Sequence, residues 1–134
     1  MSKSKKPRKK YTPKPAHIPM MASMRDRLAL DLHLSIEALI EASSPDTYNA
    51  LSTKLCTMGY AGVVSPYLEA AKQTLGVICE RYERFGKVGV SSDEALALRA
   101  LAGELDALLA TVPATKIIRA EAFTALHCAE LGIT

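Results

Sequence analysis

Lys5, Lys6, Arg8, Lys9, Lys10 and Lys14 fall within one ten-residue stretch, with Tyr11 among them and no acid between them. Closely spaced cations of this kind suit contact with a phosphate backbone. Each Lys or Arg that neutralises a phosphate releases a counterion, so the attraction is electrostatic and largely indifferent to base sequence. Tyr11 adds a ring on which a base can stack. Pro7 and Pro13 lie in the same stretch and Pro15 directly follows it. They hold the backbone extended and lower the cost of ordering it on a ligand. The same run would also serve as a nuclear import signal, as a contact for an anionic membrane, or as a solvated tail.

Other reactive side chains form weaker patterns. His127 and Cys128 are adjacent, but neighbours on a helix point about 100° apart and do not converge as a nucleophile and its base. Cys56 and Cys79 are far from them and from each other, and no C-x₂-C ligand pair is present for zinc. His33 stands alone between leucines. Gly86 and Gly89 flank Lys87, yet the phosphate-loop pattern G-x-x-x-x-G-K-[ST] is missing, and helix termination by Gly86 is the simpler reading. No carboxylate pair is isolated in apolar surroundings, where one of the two would be held protonated. The expectation is a protein without catalytic residues, metal ligands or a cofactor.

The elements that carry these residues follow from composition. Ala and Leu dominate the apolar residues, Trp is absent and Phe occurs twice. Ala and Leu lose little side-chain entropy in a helix, so an all-α protein is expected. Charge divides the chain. Residues 1–17 carry seven basic residues and no acid, whereas the remainder carries ten basic and fourteen acidic residues, a net charge of −4. This predicts a disordered, Pro-containing basic arm over 1–17 and one helical domain over 18–134. Nucleic-acid binding should then be concentrated on the arm. The odd number of cysteines, each within an apolar helical pattern, predicts buried reduced thiols in a cytoplasmic protein. No stretch reaches the length of a membrane span, and the prolines interrupt any secretory-signal core.

Five helical segments can be read from the apolar spacing. The first, about Met20 to Ala42, carries Met21, Met24, Leu28, Leu32, Ile36 and Leu39 on one face. Its segment "LALDLHLSI" also alternates at period two. Leucine content and length favour helix, with an unusually wide apolar surface that must be central or face two partners. Leu30 and Leu34 lie beyond the main stripe and are the expected self-association residues of a homo-oligomer. Ser44–Pro45 and Ser65–Pro66 are start signals for the next two helices. The third helix carries Leu68, Ala71, Leu75, Ile78, Tyr82 and Phe85 inward, with Glu80, Arg81, Glu83 and Arg84 outward. Ser91 and Glu94 form a capping-box pattern before the fourth, which carries Leu98, Leu101, Leu105, Leu108 and Val112. After Pro113 the fifth carries Ile118, Ala122, Ala125 and Ala129. Short connections between such helices predict a compact antiparallel bundle of four to five helices.

The segment from Lys6 to Pro15 resembles the beginning of small uncharacterised proteins of proteobacterial and phage or prophage genomes. The resemblance covers about ten residues and implies a bacterial or phage accessory protein. Two functions are expected from the whole. One is a non-enzymatic binding module whose arm contacts nucleic-acid phosphates. The other is a protein–protein adaptor or inhibitor, acting on a host complex through its helical body.

Overall fold

The computed structural model describes residues 20–132. It contains five helices: α1 (Ala22–Glu41), α2 (Pro45–Tyr60), α3 (Pro66–Phe85), α4 (Ser92–Leu109) and α5 (Ala114–Glu130). No described residue is in a strand, so "LALDLHLSI" is helical despite its alternation. The expected arm over 1–17 lies outside the described residues.

Local chemistry sets the helix boundaries. Ser44 caps α2 by accepting from the Thr47 N–H at 3.1 Å, and the Ser44 N–H donates to Thr47 Oγ1 at 2.9 Å. Pro45 occupies the first helical position, where its missing N–H costs nothing. Ser65 caps α3 by accepting from the Tyr67 N–H. Gly86 ends α3 at φ 75°, a left-handed conformation that a Cβ would disfavour, and its N–H donates to Tyr82 O at 2.7 Å. Ser91 and Glu94 form the expected capping box at the start of α4.

Packing closes α1 to α4 into a ring. α1 packs on α2 and α4, and α3 packs on the same two helices. α5 is strapped along α2 outside this ring. The core comprises Leu32, Ile36 and Leu39 of α1, Leu51, Leu55 and Met58 of α2, Leu68, Ala71, Leu75 and Ile78 of α3, and Leu98, Ala102, Leu105 and Leu109 of α4. Ile117 of α5 joins it. α1 therefore faces two partners and leaves its far side open.

The structure corrects several expected faces. The inward stripe of α3 stops at Ile78, and Tyr82 and Phe85 are exposed, Phe85 to 70%. Val88 and Val90 of the following loop pack against the core instead. On α4, Ala95, Ala102 and Leu109 are buried alongside Leu98 and Leu105, whereas Leu101 and Leu108 are only partly buried; Val112, expected on this helix, is buried in the turn that follows it. On α5 the face is displaced by one position. Ile117, Ala120 and Thr124 are buried, whereas Ile118, Ala122, Ala125 and Ala129 are exposed. Small alanines bury little area whichever way they point, so Ile117 and a buried hydroxyl decide the orientation. The thiols are free, but they are not fully buried: Cys56 is exposed and Cys79 and Cys128 are half-buried.

Arg81, expected outside, folds back across the α3–α4 loop. Its Nη1 donates to Gly89 O at 2.9 Å and to Glu94 Oε1 at 2.9 Å, and its Nη2 donates to Glu94 Oε2 at 2.7 Å. These Arg81 bonds, opposed by burial and aided by Ser91, hold the Glu94 carboxyl down at about 2 against an ordinary 4.5. A carboxyl held below its unfolded value stabilises the fold above that value. The contribution is lost as pH falls from about 4.5 towards about 2. Arg81 is about one-third exposed, so solvent screening limits the effect. Urea unfolding at pH 7 and pH 3 should show wild type losing about 1–2 kcal/mol more than Glu94→Gln over that interval. Equal losses would mean that the fork contributes nothing to the fold.

Candidate interaction surface

The phosphate-contact residues read from the sequence, Lys5, Lys6, Arg8, Lys9, Lys10, Tyr11 and Lys14, lie outside the described residues. The surface that follows belongs to the helical body.

Leu30 and Leu34, one turn apart on α1, are 59% and 57% exposed. They point away from Leu32, Ile36 and Leu39, as a spacing of two positions on a helix requires. α4 covers a different side of α1. There Arg99 grips Glu37 through two bonds, Nε to Oε1 at 2.8 Å and Nη2 to Oε2 at 2.9 Å. His33 Nε2 lies 3.8 Å from Asp106 Oδ2. His33 is thus a boundary side chain facing a carboxylate of α4.

A cleft of about 290 Å³ separates α1 from α5. Its apolar lining comes from Leu28, Leu32, Met58, Leu109 and Ile117. A run of hydroxyls marks the α2–α5 seam. The Thr57 hydroxyl donates to Thr53 O at 2.9 Å, and its Oγ1 lies 3.0 Å from Thr124 Oγ1, within hydrogen-bond distance. Thr53 Oγ1 lies 3.8 Å from Cys128 Sγ. The buried Thr124 thereby has a partner, which its position inside a helix seam demands. Arg27, Asp31, Lys54 and Glu121 complete the lining, two charges of each sign.

Sequence reasoning missed this cleft. Thr57 and Thr124 are 67 positions apart, and nothing in either local pattern links them. The one usable signal was a polar Thr124 between Phe123 and Ala125, a residue that apolar periodicity passes over.

The geometry separates the remaining candidates. Cys128 turns towards Thr53, whereas His127 is exposed, so the two do not converge. The Gly86–Gly89 loop is held by Arg81 through the Gly89 carbonyl, which serves chain reversal. Tyr48 donates to Leu75 O at 3.1 Å, and burial, with Cys79 nearby, pushes its phenol up to about 12. Among the described residues no group of three His, Cys, Asp or Glu side chains is placed to hold a metal ion. No described helix is long and apolar enough to cross a membrane.

No protein-family model, curated protein or solved structure matches this chain.

Proposed function

We propose that this chain is a non-enzymatic, cytoplasmic binding module in which the basic segment contacts nucleic-acid phosphates and the helical bundle supplies a rigid body behind it. One observation carries the reading: the segregation of charge. Seven cations precede residue 18, and the rest of the chain has a net charge of −4. Several of the body's cations are engaged within the fold, Arg81 with Glu94, Arg99 with Glu37 and Lys72 with Glu69. A body of this kind repels a polyanion, so attraction has to come from the segment that precedes it. Lys5, Lys6, Arg8, Lys9, Lys10 and Lys14 neutralise phosphates, and Tyr11 stacks on a base. The free thiols fit a reducing compartment.

A second reading is favoured by the uncovered leucines. Leu30 and Leu34, with the neighbouring cleft, would dock a partner protein, as in a phage accessory protein acting on a host complex. The basic segment would then be a solvated tail.

A salt titration separates the two. Binding of fluorescent single- and double-stranded oligonucleotides should weaken with a log–log slope of magnitude about 4–6, near 0.7–0.9 per neutralised phosphate. A slope near zero, or no binding at low salt, favours the adaptor.

A further inference from the structure

α5 packs mainly along one helix, α2, and buries Ile117, Ala120 and Thr124 against the bundle. Its opposite side is apolar too. Ile118 and Leu126 are 58% and 60% exposed, and Ala122, Ala125 and Ala129 lie exposed beside them. At about 100° per residue, Ala122 and Leu126 both point almost directly away from the buried Thr124.

We propose that this face joins two copies of the chain, α5 against α5 in antiparallel orientation, with Ala122 of one copy under Leu126 of the other. The occupant follows from self-complementarity. Arg119 and Glu130 lie on the same edge of the stripe, five positions before and six after its midpoint at Thr124. A two-fold axis perpendicular to the helix, level with that midpoint, reverses chain direction and keeps each edge on its own side. It brings Arg119 of one copy opposite Glu130 of the other, with an axial offset of about 1.5 Å, and repeats the pair by symmetry. A parallel two-fold arrangement, its axis along the helices, would carry this edge to opposite sides of the two copies and separate Arg119 from Glu130. The alanines allow close approach of the helices, and Leu126 fills the space above Ala122. Leu30 and Leu34 form a shorter patch, and of the charges that border it Glu37 is already held by Arg99 within the chain. This pairing goes beyond the nucleic-acid reading and does not depend on it. If both hold, each particle presents two basic segments, and the second binding event becomes intramolecular.

Sedimentation of the full chain, without nucleic acid, tests the pairing. Wild type should be dimeric at about 100 µM. Leu126→Glu should be monomeric at that concentration with unchanged helicity by circular dichroism, because Leu126 is exposed in the monomer. Arg119→Glu and Glu130→Arg should each raise the dimer dissociation constant about tenfold, and the double exchange should restore it to within about threefold of wild type. A monomeric wild type overturns the proposal. So does a dimer that survives Leu126→Glu but dissociates with Leu34→Glu. A dimer indifferent to both single charge variants overturns the antiparallel register.

Discussion

Leu39→Ala should lower the unfolding free energy by about 2–5 kcal/mol, whereas Leu34→Ala should change it by less than about 0.5 kcal/mol. Both remove the same atoms from the same helix, five positions apart. Leu39 is completely enclosed between α1 and its neighbours, so its truncation forfeits burial and leaves a cavity. Leu34 already stands in water, so little burial is lost. For a domain whose total stability is about 5–15 kcal/mol, the first variant should shift the urea midpoint markedly. Circular dichroism during urea unfolding measures both. Equal losses at the two positions would mean that α1 is buried on both sides, with the bundle wrapped around it.

The second large effect separates two adjacent isoleucines. Ile117→Asp should destabilise the protein by more than about 3 kcal/mol, since it places a carboxylate without a partner among Leu109, Met58 and Thr124. Ile118→Asp should leave the monomer within about 0.5 kcal/mol of wild type, because that side chain is solvated. Tyrosine fluorescence during unfolding, at concentrations too low for self-association, reads both. The reverse order would return α5 to the face expected from its alanines.

The architecture was legible because strong local signals agreed. Ser44–Pro45, Ser65–Pro66, Gly86 and the Ser91–Glu94 box each have a local physical cause, and the structure places helix ends at all of them. The width of α1 was legible too, and its outward leucines stand where the spacing put them. The orientation of α5 was not. Ile118, Ala122, Ala125 and Ala129 form a true apolar stripe, but α5 has two such stripes. The choice between them rests on a long-range hydroxyl contact between Thr57 and Thr124. Arg81 escaped for a similar reason: in sequence it sits on a charged outer face, yet its partners Gly89 and Glu94 are reached only after the loop turns back. The cleft between α1 and α5 is a product of packing and has no local sequence pattern. The assignment of phosphate contact to the basic segment rests on charge and spacing alone and stands as a proposal.

Neutralising that segment tests the central proposal most directly. In the full chain, Lys5, Lys6, Arg8, Lys9, Lys10 and Lys14 are replaced together by Gln, and binding to a fluorescent oligonucleotide is followed by anisotropy at low salt. Wild type should bind, and the variant should lose affinity by about a thousandfold or more while keeping its helicity and melting transition. Unchanged affinity in the variant would place binding on the helical body and contradict the assignment of phosphate contact to the basic segment.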